Sequence, residues 1–236
     1  MTTQLGRPHR HFRRTDSTNA RARELAEAGA PGGLVVTAGE QSAGRGRQGR
    51  SWFAPAGTAL LYSALLRPLG ERPLLPLAVP AAVCEAAEAL APVRCQIKWP
   101  NDVWVEGRKL AGILVEGRPE AGGGGWAVVG VGLNLAIPPE DLPEEIRETA
   151  TSLGAGTTLA AALEELNARL ATWIDRDQAE VLAAFRERDA LRGRRISWQG
   201  GSGVAAGIDD AGHLLVDEER GERVSLGAGE VHLGVS

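Results

Sequence analysis

Cysteine is nearly absent. Cys84 and Cys95 are the only two, and neither belongs to a CxxC pair or a Cys/His cluster. A disulfide framework or a zinc site of the usual spacing is therefore excluded. Histidine is confined to His9, His11, His213 and His232, which leaves the central region without a Ser-His-Asp or Cys-His relay. Chemistry there has to rest on positioning and charge stabilisation, as in phosphoryl or adenylyl transfer. The chain also lacks an apolar run long enough to span a bilayer, and its arginine-rich start has no apolar signal core. These absences predict a reduced, soluble, cytoplasmic protein without membrane contacts.

Lysine is the scarcest charged side chain. Among 26 Lys and Arg residues only Lys98 and Lys109 are lysine, and they bracket "KWPNDVWVEGRK". An ammonium is a compact point charge and a guanidinium is a wide planar fork, so a tight site against carboxylate or phosphate oxygens can demand lysine. Chance clustering is the other reading. The formal charge of −4 and pI near 5.7 argue against a surface given over to nucleic acid or anionic lipid. Any basic feature is then a local device.

One such feature is present. "GEQSAGRGRQGRSW" sets Arg45, Arg47 and Arg50 among Gly44, Gly46 and Gly49. Repelling charges on entropically costly glycine gain little from folding alone. The segment reads as an anion clamp, in which backbone N–H groups approach oxygens and arginines supply paired donors. A solvated hairpin tip or an RNA-touching tract remains the alternative. No GK[ST] ending follows, so neither Walker-type nor dinucleotide binding is implied.

At 236 residues and 43% hydrophobic content the chain can bury a proper core. After a short basic arm with Arg10, Arg13 and Arg14, "TDSTNARARELAEAGAPGG" reads as a capped helix. "GLVVTAGEQ" and "GTALLYSALLRP" read as buried strands on either side of the basic loop. A helix follows whose reliable part starts after Pro80, because an interior proline breaks the hydrogen-bond ladder. "VRCQIKW", "DVWVEGRKLAGILVEG" and "GWAVVGVGLNL" predict an antiparallel meander, the last two separated by the glycines of 121–125. Helices are expected from Thr158 to about Ile174 and from Gln178 to about Leu191. From Ile196 short alternating runs between glycine turns predict a small all-β unit packed against the rest. The expected division is 1–189 and 190–236.

Five motifs occur in order: "DSTN" at 16–19, "EQSAGRGRQGRSW" at 40–52, "KWPNDV" at 98–103, "KLAGILVE" at 109–116 and "GVGLNL" at 130–135. With the "GEVHL" ending, this set resembles the biotin–protein ligases over essentially the whole chain. The resemblance implies an α+β fold: a mixed β-sheet flanked by helices, akin to class II aminoacyl-tRNA synthetase cores, followed by a small SH3-like β-barrel. It implies activation of biotin by Mg-ATP to biotinoyl-5′-AMP, then transfer to one lysine of a biotin carboxyl carrier domain. Ser17, Thr18, Asn19 and Gln41 would bind the biotin head. Arg45, Gly46 and Arg47 would close over the carboxylate and phosphate, with Lys98 and Arg47 as the catalytic charges.

Trp52 either covers the adenylate or is a strand-end core residue. Asn134 either reaches the nucleotide or serves a turn, and Lys109 is either a second anion contact or a solvated strand start. Asn101 and Asp102 are either site residues or the backbone-bonding part of a tight turn. Magnesium ligands are not legible. Some family members carry an N-terminal DNA-binding domain, but the Ser-Thr-Asn motif here begins at residue 17, so no specific DNA binding is expected. Family members are often dimers through sheet edges, which leaves a homodimer open. Lipoate or octanoate ligases and transferases share the fold and are the rival enzyme class. A non-enzymatic anion or RNA binder is the rival outside enzymes, and it is disfavoured by the acidic pI.

Overall fold

The computed structural model describes residues 4–119 and 124–233. Seven strands form one mixed sheet: β1 (His9–Phe12), β2 (Val35–Ala38), β3 (Ala59–Leu66), β4 (Cys95–Lys98), β5 (Asp102–Val105), β6 (Arg108–Pro119) and β7 (Gly125–Asn134). Their order is β1-β2-β3-β7-β6-β5-β4. Only the β1–β2 pair is parallel. β3 sits centrally with all eight residues buried, which explains its continuous apolar run.

Helices cover both faces. Leu60, Tyr62, Ala64 and Leu66 of β3 pack in one apolar cluster with α2 (Leu75–Leu90), α4 (Leu159–Trp173) and α5 (Gln178–Arg188). On the opposite face Leu65, Leu34 and Val36 meet Ala22 and Ala26 of α1 (Thr18–Glu27). The short α3 (Glu144–Arg147) lies in the long connection after β7. Tyr62 Oη donates to Asn167 Oδ1 at 2.8 Å, fastening α4 to the sheet.

Three sequence expectations need correction. Within the basic arm, to which the sequence assigns no element, residues 9–12 form the edge strand β1, whose register pairs His9 with Val35. α2 begins at Leu75 and runs through Pro80, because the loss of one backbone bond is outweighed by burying Leu75, Leu77, Ala78 and Val79. "DVWVEGRKLAGILVEG" is two strands, turned by Glu106 and Gly107 at positive φ. The glycine turn expected at 121–125 lies mostly outside the described residues.

β8 (Arg195–Trp198), β9 (Gly201–Ile208), β10 (Leu214–Glu218), β11 (Arg223–Leu226) and β12 (His232–Leu233) make the second sheet, an antiparallel SH3-like unit ordered β11-β10-β9-β8-β12. The expected division near residue 190 falls in the link between α5 and β8. The core nevertheless continues across it. Ile196, Ile208, Leu214, Val216 and Val231 share a cluster with Leu74 and Leu77, and Trp99 Nε1 donates to the Gly212 carbonyl at 3.1 Å.

Candidate active site

A cleft of about 890 Å³, counted out to its open mouth, lies between the α1 start, the basic loop, the Lys98–Asp102 turn and the Gly229–Val231 segment. That size suits a cofactor-sized ligand. Its inner end is polar and closed to solvent. Ser17, Thr18 and Asn19 open α1 and are only 3, 4 and 5% exposed. Ser63 of β3 lies beneath them, its Oγ 2.8 Å from Thr18 Oγ1 and 2.6 Å from Asn19 Oδ1. The Thr18 amide donates to Gln41 Oε1 at 2.6 Å, so the residue that opens the basic loop also caps this helix.

Glycine makes the room. A Cβ at Gly130 would collide with the Asn19 amide, and one at Gly132 would collide with the Trp52 indole. Neither φ is unusual, so clearance rather than backbone freedom explains both. Gly112 does the same from the neighbouring strand, with the Trp52 ring 2.8 Å from where its Cβ would sit. Trp52 therefore lies flat across β6 and β7, and its buried Nε1 has no protein partner.

The outer end is cationic. Arg45, Arg47 and Arg50 of the loop face Lys98 at the end of β4 and Lys109 at the start of β6. Three of the five have an ion-pair partner. Arg45 Nη1 is 3.4 Å from Glu116, Lys109 Nζ is 2.8 Å from Asp102 Oδ1, and Arg50 pairs with Glu230 from the second sheet. Lys98 Nζ stands 5.3 Å from the centre of the Trp104 ring, and Lys109 Nζ 5.6 Å from that of Trp52. Burial lowers the Lys98 pKa, Asp102 opposes that shift, and the charges of Lys109 and Arg50 add to it. Arg47 is lowered by burial, again opposed by Asp102. Five cations thus share three carboxylates, a surplus that attracts a polyanion.

The cleft brings together Ser17, Thr18, Asn19, Gln41, Arg45, Gly46, Arg47, Trp52 and Lys98. Asn134 is not in its wall: its amide donates to the Thr151 carbonyl at 2.9 Å, and its buried Oδ1 has no partner among the described residues. Lys109 is not a solvated strand start but part of the wall, and Asp102 is held within the charge cluster. Sequence reasoning missed Ser63, Glu116 and Glu230, the last because a distant segment delivers it. Among the described residues no group of three or more His, Cys, Asp or Glu side chains is placed to hold a metal ion, and no helix is long and apolar enough to cross a membrane.

The biotin/lipoate A/B protein ligase family matches residues 11–134, and the biotin protein ligase C-terminal domain matches 200–234. The bifunctional ligase/repressor BirA of Bacillus subtilis is 40% identical over 140 residues, 58% of this chain and 43% of its own length. The chain thus spans less than half of that relative. The biotin–[acetyl-CoA-carboxylase] ligase of Mycobacterium tuberculosis is 36% identical, covering 92% of this chain and 85% of that protein. Among solved structures, the biotin protein ligase from Aquifex aeolicus in complex with biotin and ATP superimposes with a TM-score of 0.80 at 27% identity, over 97% of this chain and 99% of that one. With family models matching within each of the two sheets and the Mycobacterium relative aligned along nearly the whole chain, the protein that carries this cleft belongs to the biotin/lipoate protein ligase family.

Proposed function

We propose that this protein activates biotin with ATP to biotinoyl-5′-AMP, releasing pyrophosphate, and passes the biotinoyl group to a lysine of a biotin carboxyl carrier domain. The carrying observation is the pairing, in one cleft, of a buried neutral polar cluster with an excess of cations. A ureido ring carries two N–H donors and a carbonyl acceptor, which suits Ser17, Thr18, Asn19 and Gln41. A dithiolane or plain alkyl chain would leave the donor and acceptor capacity that this cluster does not use internally unmet, at a cost of about 1–3 kcal/mol for each buried group so left. That mismatch disfavours lipoate or octanoate as substrate.

In the first step a carboxylate oxygen attacks the α-phosphorus, the new C–O–P link forms, and the bond to the β-phosphate oxygen breaks. Arg45, Gly46 and Arg47 gather the carboxylate and phosphate oxygens. Lys98, together with Lys109, stabilises the charge that builds on the α-phosphate. Trp52, packed over the glycines of β6 and β7, offers a flat ring surface to the nucleotide. In the second step the carrier lysine amine attacks the acyl carbon and AMP leaves with the electron pair. Closing the loop protects the anhydride from water until the carrier docks.

The cleft carboxylates Asp102, Glu116 and Glu230 are already engaged by cations, so in this reading magnesium arrives with the triphosphate. Division into a 1–189 catalytic unit and a 190–236 unit, and action in the cytoplasm, complete the proposal. Exchange of labelled pyrophosphate into ATP tests it. Exchange with biotin and not with lipoate or octanoate is the expected result. Exchange with lipoate alone would move the substrate, and no exchange with any acid would sink the ligase reading.

A further inference from the structure

Glu116 stands just behind the cleft, on β6, and touches both of its ends. Its Oε2 accepts from Asn19 Nδ2 at 3.0 Å, and its Oε1 lies 3.4 Å from Arg45 Nη1. One carboxylate therefore joins the polar cluster to the basic loop. We propose that Glu116 is a positioning residue that couples recognition of the acid's polar head at Asn19 to the placement of Arg45 over the reacting carboxylate. This rests on the proposed ligase reading of the same cleft.

An ionised carboxylate only accepts, so it draws the NH2 side of the Asn19 amide toward itself. The Leu114 carbonyl, 3.2 Å from the same nitrogen, accepts there too. Both amide hydrogens are then committed and Asn19 Oδ1 is turned toward Ser63 Oγ, 2.6 Å away. The Ser63 hydroxyl has one proton. If it is given to Asn19, Thr18 must donate to Ser63, and acceptor lone pairs on both Asn19 and Thr18 are left for ligand N–H groups. Glutamine at 116 could offer its own NH2 and lose this discrimination.

The other oxygen acts on the loop. Arg45 is tethered at its backbone by the bridge to Ser51, but its guanidinium is 43% exposed, and Glu116 is its ion-pair partner. An exposed pair of this kind contributes little stability, so its value lies in direction. A head group that tightens Asn19 against Glu116 steadies the carboxylate, and the carboxylate steadies the guanidinium.

A double-mutant cycle on biotin affinity tests this, using full-length Asn19→Ser, Arg45→Ala and the double variant, repeated in a Glu116→Gln background. With Glu116 present the two costs should be non-additive by about fivefold, as for members of one hydrogen-bond network. In the Glu116→Gln background they should multiply independently, while Glu116→Asp should recover part of the coupling. Additive costs with Glu116 present would overturn the relay, and so would coupling that survives Glu116→Gln. The wild-type protein separates the two levels: failure to bind biotin would defeat the site reading, whereas binding with additive costs would defeat the relay alone.

Discussion

Ser17, Thr18 and Asn19 are at most 5% exposed, whereas the Arg45 and Arg50 side chains leave 43% and 56% of their surface in solvent. Thr18 and Asn19 of the first group are locked by Ser63 and Gln41 through hydrogen bonds of 2.6–2.8 Å. The second is held by ion pairs at its margins. Under the proposed function, recognition in this cleft is built before the ligand arrives, and charge handling is completed by the ligand itself. That division makes physical sense. A fixed polar pocket gains selectivity by leaving its groups unpaired around a wrong ligand, while a loop that, in this proposal, opens for ATP and the carrier gains from weak internal partners.

The largest effect should come from removing charge at the reacting centre. Lys98→Ala is expected to slow biotin-dependent pyrophosphate exchange by about 10²–10³ while changing biotin affinity far less, as when one preorganised charge is lost. Equal losses in rate and affinity would put Lys98 in the recognition half instead. Next is the prebuilt end. Gly130→Ala drives a methyl into the Asn19 amide, and displacement costing about 1–3 kcal/mol should weaken biotin by roughly tenfold to a hundredfold, measured by calorimetry. Unchanged binding would show the cluster to be adaptable.

Arg47→Gly should still form adenylate but release it, with off-target lysine labelling raised several-fold, on the order of 1 kcal/mol of lost clamping. No rise in labelling over wild type would reject the loop as a seal. The smallest effect is one of pH. Burial lowers the Lys98 pKa, so its charge is present below that value and lost as pH rises through it. The alkaline limb of kcat/KM should therefore fall below the ordinary lysine value of 10.5, and Lys98→Arg should move it upward. A limb that stays put in Lys98→Arg would assign it to another group.

Much of this was legible in the residues. The strands on either side of the basic loop, the helices and the small β unit follow from local pattern, although α1 takes its cap from the distant Gln41 and not from a side chain of its own first residues. Lys109 was not legible, and the reason is geometric. In a regular strand Lys109 and Gly112 would point to opposite faces. A register shift between Val103 and Trp104 places Leu110 and Ala111 together in the core and turns Lys109 back over Gly112, its Nζ 3.3 Å from the position a Cβ there would take. A bulge on one strand, set by its pairing with another, leaves no local signature. β1 escaped notice for a related reason: "HRHF" has no apolar alternation, and its parallel partner lies a whole helix away. Glu230 required the second sheet to be docked.

The scarcity of lysine has one more consequence. Both lysines sit inside the cleft, one paired with Asp102 and one against Trp104, and every other Lys/Arg position is arginine. An activated acyl group that escapes finds no lysine on the rest of the protein's own surface. The same holds for any amine-seeking reagent: outside the chain terminus, succinimidyl esters and formaldehyde have two targets here, and occupancy of the cleft would shield both. Amine labelling of this protein is thus a direct report on its cleft, one that a lysine-rich surface would drown out.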